Sequence, residues 1–100
     1  MDINNYNIFV NSQGFDWIFK CMNSHYHEFI YDSLKITEQV LEFNRITAGD
    51  MSEAVRKLEK HSIEKKLNEL ILTKMNKKLS GLSNKILEEY FDKIENNSLN

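Results

Sequence analysis

The chain has 100 residues, and its 13 Lys and Arg against 15 Asp and Glu give a formal net charge of −2. This balance gives no overall attraction to nucleic acid or to an anionic membrane, and the length predicts a single domain over 1–100 with a modest core. The single cysteine, Cys21, excludes an internal disulfide and a cysteine-based zinc site, and the sequence holds no apolar run long enough to predict a membrane span.

The cellular location is predicted from the cysteine usage and from the first residues. One unpaired cysteine is typical of a reducing compartment. The start of the chain lacks the basic residues and the apolar run of a secretory signal. We therefore expect a cytoplasmic protein, and export by a machine that needs no cleavable signal stays open.

Residues 1–14 are predicted to form an N-terminal arm. The arm is rich in Asn and contains one apolar cluster, formed by Ile8, Phe9 and Val10. Because no nearby segment is suited to pair with this cluster as a strand, we expect it to pack on a helix.

Residues 15–46 are predicted to form the first helix. A mostly apolar stripe recurs there at alternating steps of three and four, which is the spacing of one helix face. Asn23 and Ser24 prefer helix caps to helix interiors, so they mark a point where the helix breaks or restarts. The stripe consists of Phe19, Met22, Tyr26, Phe29, Ser33, Ile36, Val40 and Phe43.

Gly49 and Asp50 mark the next boundary. Gly49 can adopt the left-handed conformation that ends a helix, and Asp50 followed by Glu53 fits a capping box. The pattern predicts a second helix over 50–79 and, after a break at Ser80 and Gly81, a third over 82–95. The third helix has apolar residues at four-residue steps: Leu82, Ile86, Tyr90 and Ile94.

The predicted fold class is all-α, a long antiparallel helical hairpin with a kinked or folded-back third helix at the C-terminus. A helix of about 30 residues is about 45 Å long, whereas a compact domain of this length is about 35 Å across. The hairpin would therefore be a rod. The apolar face of 15–46 is wider than one neighbouring helix covers, so we expect the third helix and another chain to cover the rest.

Residues 56–85 carry nine Lys and Arg against three Glu. Such a stripe can bind phosphates, which leaves a nucleic-acid-binding protein as an alternative. The pattern is also that of the solvated outer face of an amphipathic helix. Because no aromatic residues alternate with the bases, as they do in single-strand binders, we favour the solvated face and expect no nucleic-acid partner.

Two groups of residues have spacings that fit metal binding or catalysis. His25, Glu28 and Asp32 have the helical spacing of metal ligands, but such trios are common on helix surfaces, and no metal site is predicted. Arg56 and His61 resemble the Arg–four residues–His signature of HEPN ribonucleases. That resemblance implies a histidine that moves protons and an arginine that stabilises charge on phosphate, so a small helical ribonuclease is a second alternative.

The C-terminal half resembles another family through Gly49-Asp50, Leu72-Thr73-Lys74, Lys78, Ser80 and Ile86. These residues are similar to the C-terminal part of inner-rod subunits of type III secretion systems, which are small helical proteins that stack into a tube. The resemblance implies a structural subunit. The chain departs from the family in the acidic tail over 87–100, which extends past the matching residues.

We expect a non-catalytic protein–protein interaction or assembly module, of the adaptor, chaperone or inhibitor type. It would act by burying its apolar helix faces against another protein or a second copy of itself. Aromatic residues are enriched at such contacts, so the predicted partner-binding residues are Trp17, Phe29, Tyr90 and Phe91. No catalytic, cofactor-binding or metal-binding residue is predicted, and no cofactor.

Overall fold

The structure, a computed structural model, describes residues 1–48, 52–60, 62–73 and 76–91. The predicted all-α class is confirmed, because these residues form six α-helices and no strand. None of the described helices is long and apolar enough to cross a membrane. The helices are α1 (Ile3–Asn11), α2 (Gly14–Met22), α3 (His27–Ala48), α4 (Ser52–Glu59), α5 (Ile63–Thr73) and α6 (Lys77–Ile86), followed by a π-helical turn over Leu87–Phe91.

The predicted N-terminal arm is itself helical. Asp2 caps α1 by accepting a hydrogen bond from the backbone N–H of Asn5 at 2.8 Å, as a carboxylate at a helix N-terminus does. The ring of Tyr6 stacks on Phe43 with centroids 4.8 Å apart, and Phe9 meets Phe15 edge-on at 5.1 Å. Helix α1 therefore packs against both α2 and α3 through aromatic contacts.

The predicted helix over 15–46 is divided into α2 and α3 at the Asn23–Ser24 position that the sequence marks. The Asn23 side chain donates to the carbonyl of Phe19 at 3.0 Å and helps to end α2. The Ser24 hydroxyl accepts from the backbone N–H of Tyr26 at 3.0 Å, just before α3 begins. The short connection lets α2 fold back and pack along α3.

The predicted helix over 50–79 is also divided. Ser62 adopts a left-handed backbone conformation with φ of 60° between α4 and α5. Asn76 then caps α6, since its side-chain oxygen accepts from the N–H groups of Lys78 and Leu79 at 2.9 and 3.3 Å. Helix α6 runs through the predicted break at Gly81.

Some predicted features lie outside the described residues. These are the boundary at Gly49 and Asp50, with the capping box that it opens, and the end of the third predicted helix over 92–95.

The long hairpin with a folded-back third helix is not confirmed. The longest helix, α3, has 22 residues and is about 33 Å long, so the elements fit within a compact body. The Cα atoms span 35 × 35 × 20 Å with a radius of gyration of 13.1 Å. The expected rod is therefore replaced by a globule in which α2 packs on α3, and α5 on α6.

The core lies between these helices and is continuous. It also holds two small polar residues of α3 that bond within their own helix: Ser33 donates to the carbonyl of Ile30 at 2.6 Å, and Thr37 to that of Ser33 at 2.7 Å. Their burial therefore leaves no donor unpaired at this point. The largest fully buried apolar side chains are Ile18, Met22, Leu34, Val40, Leu41, Leu58, Ile63, Leu67 and Ile86.

Candidate functional site

The structure separates the four residues predicted to bind a partner into two pairs. Trp17 and Phe29 are 44% and 50% exposed, respectively. Tyr90 and Phe91 are 2% and 3% exposed and belong to the core. Only the first pair is available on the surface of the folded chain.

Trp17 and Phe29 lie on the α2–α3 hairpin beside two further exposed or half-buried side chains. Tyr26 is 68% exposed, and its ring meets Phe29 edge-on with centroids 5.5 Å apart. Cys21 follows Trp17 by four residues and so shares its side of α2. We call the surface formed by Trp17, Cys21, Tyr26 and Phe29 the aromatic face.

A side chain of α3 acts electrostatically on the α2 part of the aromatic face. The pKa of the Cys21 thiol is raised, first by burial and second by the negative charge of the Asp32 carboxylate. Asp32 therefore lies near Cys21 across the hairpin, and it stands one helical turn after Phe29. A raised thiol pKa also means that Cys21 is mostly protonated near neutral pH, which is the less nucleophilic form.

Helix α2 buries one of its sides in the core. Large residues on a different side of α2 stay at the surface and form part of the aromatic face. Ile18 and Met22 have no exposed surface and fill the core. Trp17 and Cys21 each precede one of these core residues, so they are rotated away from the core by about 100°. The sequence shows an aromatic cluster here, but the packing of α3 decides which aromatic residues stay outside.

A second candidate is a cleft of about 470 Å³ beside α3, lined by residues of α3, α6 and the π-helical turn. Several polar side chains of this cleft pair with each other. Lys85 lies 3.0 Å from Glu38, and the Tyr90 hydroxyl donates to Glu42 at 2.8 Å. Arg45 pairs with Glu42 as well and lies over the Tyr90 ring, 5.9 Å from its centroid.

The pKa shifts in this cleft follow from those contacts. Burial and the hydrogen bond to Glu42 raise the pKa of Tyr90. The hydrogen bond to Glu38 and its charge raise the pKa of Lys85. Tyr90 and Lys85 are protonated at neutral pH even without these shifts, and the shifts extend the protonated form to higher pH, which suits a clamp between α3 and the C-terminal elements better than acid–base catalysis.

Sequence reasoning missed this clamp. Glu42 and Tyr90 are separated by 48 residues, so no local pattern joins them. The one available signal is the spacing of Glu38 and Glu42, which places two carboxylates one turn apart on α3.

The residues considered for catalysis or metal binding do not form a site in the described part of the chain. Arg56 is exposed, and His61 lies outside the described residues, so the ribonuclease-like pair is not tested. His25, Glu28 and Asp32 are all exposed, and within the described ranges no three His, Cys, Asp or Glu side chains are placed to hold a metal ion.

In the described part of 56–85, the basic residues are spread over α4, α5 and α6, with Lys60 directly after α4. Several contact other parts of the protein. Lys57 lies over the Phe15 ring at 5.6 Å, Lys66 is 3.8 Å from Glu69, and Lys85 pairs with Glu38. These bases therefore contribute to packing between and along helices.

No protein-family model, no curated protein and no solved structure matches this chain. The resemblances to inner-rod subunits and to HEPN ribonucleases therefore remain hypotheses.

Proposed function

We propose that this chain is a non-catalytic interaction module that binds another protein through the aromatic face. A single observation carries the proposal: three large aromatic side chains, Trp17, Tyr26 and Phe29, are 44% to 68% exposed on one hairpin of a chain that has a continuous core of its own. Exposed apolar surface costs about 25 cal/mol per Å² relative to burial, and clustered aromatics are typical of binding hot spots.

Other exposed apolar residues support the proposal by contrast. Leu72 is 77% exposed on α5, and single exposed aliphatic residues are ordinary on protein surfaces. The aromatic face differs because two of its rings, Tyr26 and Phe29, contact each other and because Trp and Tyr contribute most to interface energy. An adaptor, chaperone or inhibitor acting in the cytoplasm is the function we infer.

The chain offers a direct reporter for this proposal, because Trp17 is its only tryptophan. Acrylamide should quench the fluorescence of the isolated protein efficiently and quench it less once a partner covers the face. The tagged wild-type protein should retain a partner from a lysate of its own cells. The double variant Trp17→Ala, Phe29→Ala should lose that partner, whereas the control Leu72→Ala, which shortens an equally apolar exposed side chain elsewhere, should keep it.

Circular dichroism and urea unfolding of each variant establish that loss of binding is not loss of folding. A partner that the folded double variant retains at the wild-type level would refute the proposal. So would a wild-type protein that retains none.

A further inference from the structure

Carboxylates border the aromatic face. Glu28 precedes Phe29 on α3, Asp32 follows it by one turn, and both side chains are exposed. Asp16 precedes Trp17 on α2, where Lys20 is the only base. Residues 14–34 thus carry three acidic side chains and one basic side chain, in a chain whose 56–85 segment has nine bases and three acids.

The negative charge reaches the face itself. Burial raises the pKa of the Cys21 thiol, and the Asp32 carboxylate across the hairpin raises it further. Aromatic rings add to the field of this carboxylate, because their faces carry a negative quadrupole that attracts ammonium and guanidinium groups. Carboxylates and exposed rings on one surface therefore favour the same kind of ligand, an apolar segment that also carries positive charge.

A second copy of the chain is a poor source of such a segment. Its basic helices α4 and α5 already bury their apolar residues Leu58, Ile63 and Leu67, which have no exposed surface. Those helices would have to leave their own core before they could present an apolar stripe to the aromatic face.

We infer that the aromatic face binds a basic amphipathic helix of another protein. This inference rests on the proposed function and adds the chemistry of the partner. The apolar stripe of the helix packs on Trp17 and Phe29, while arginine or lysine residues beside the stripe pair with Glu28 and Asp32 and stack on the rings. Complementary charges at the edge of an interface determine which partner binds and speed association.

Two synthetic peptides test the inference. Each has about 18 residues, enough to form a helix, and the same leucine face; one carries arginine and the other glutamate at the flanking positions. Binding is followed by Trp17 fluorescence. We expect the arginine peptide to bind, the glutamate peptide to bind at least about tenfold more weakly, and the arginine complex to weaken as ionic strength rises from about 0.05 to about 0.5 M.

Matched variants test whether the carboxylates beside the aromatic face cause the preference for the arginine peptide. The double variant Glu28→Gln, Asp32→Asn should weaken arginine-peptide binding about two- to thirtyfold, because it removes two exposed ion pairs. Glu59→Gln, Glu88→Gln removes the same charge from exposed positions on α4 and the π-helical turn and should leave binding unchanged. Equal weakening by the two double variants would overturn the inference.

The remaining outcomes separate this inference from the proposed function. Equal binding of both peptides, or binding of neither, overturns the basic-helix inference and leaves the lysate experiment to decide the proposed function. Light scattering that shows wild-type self-association, abolished by Trp17→Ala with Phe29→Ala, identifies a second copy as the occupant and also overturns it.

Discussion

At the scale of single residues, the Tyr90 hydroxyl connects the π-helical turn at the end of the described chain to α3. It donates to Glu42 at 2.8 Å from a ring that is almost fully buried. Because hydrogen bonds to charged groups contribute more than neutral ones, Tyr90→Phe should lower the free energy of unfolding by about 1.5 kcal/mol. Urea unfolding measures this, with the exposed Tyr26→Phe as the control, expected within about 0.5 kcal/mol of wild type. Equal effects of the two substitutions would show that the bond contributes nothing.

The same hydroxyl predicts a loss of stability at alkaline pH. Burial and Glu42 raise the pKa of Tyr90 in the folded chain above the ordinary value of 10.0. The unfolded chain therefore releases this proton first, so the contribution of Tyr90 is complete below about pH 10 and is lost as the pH rises further. Unfolding measured from about pH 8 to about pH 11 should show the gap between wild type and Tyr90→Phe narrowing. A gap that stays constant or widens would contradict the shift.

A sequence alone does not assign these aromatic residues to core or surface. Trp17, Phe29, Tyr90 and Phe91 are all aromatic residues of predicted helical segments, and the sequence pattern gives no reason to prefer one of them to another for partner contact. Packing decides between them: the π-helical turn brings Tyr90 and Phe91 against α3 and α5, whereas the α2–α3 hairpin leaves Trp17 and Phe29 outside.

At the scale of secondary-structure elements, Gly14 and Gly81 both stand at predicted boundaries between segments, but they differ in the space available for a side chain. A Cβ added to Gly14, at the start of α2, would overlap the Phe9 ring of α1, whereas a Cβ on Gly81 in α6 would meet no atom within 4 Å. Gly14→Ala should therefore lower the free energy of unfolding by about 1–3 kcal/mol. Gly81→Ala should raise it by about 0.5–1 kcal/mol, because alanine favours the helix interior.

Urea unfolding of the two glycine variants provides the measurement, and a third variant identifies the cause. Combining Gly14→Ala with Phe9→Ala removes the overlapping ring, so the two effects should be less than additive. Strict additivity, or a stabilised Gly14→Ala, would show that α1 does not pack on α2 as described.

The element boundaries show where local sequence signals suffice. Asn23 and Ser24 carry capping chemistry, and the helix breaks there as the sequence indicates. Ser62 shows no such signal, since a serine at positive φ is stabilised by its surroundings and not by its own preference. Asn76 is a strong cap, but apolar residues continue at helical spacing on both sides of it, so the periodicity conceals the boundary.

At the scale of the whole molecule, a compact body is compatible with an incompletely covered apolar surface. Helices shorter than predicted pack into a globule with a radius of gyration of 13.1 Å, so the chain shelters more of its apolar surface than a two-helix rod would. The aromatic face nevertheless stays exposed. The sequence predicts uncovered apolar surface along whole helix faces. In the structure, the aromatic face that stays exposed lies on one hairpin, α2–α3.

This division between core and aromatic face predicts stability losses of different size for two phenylalanine substitutions. Phe91→Ala empties a buried site and should lower the free energy of unfolding by about 3–5 kcal/mol. Phe29→Ala removes a half-exposed ring and should cost less than about 1.5 kcal/mol, while it weakens partner retention. Conservative replacement separates the two roles further: Phe91→Leu should recover most of the stability, because it refills the cavity. If Phe29→Ala destabilises the chain as much as Phe91→Ala does, the Phe29 ring belongs to the core. It would then not be available for contact with a partner.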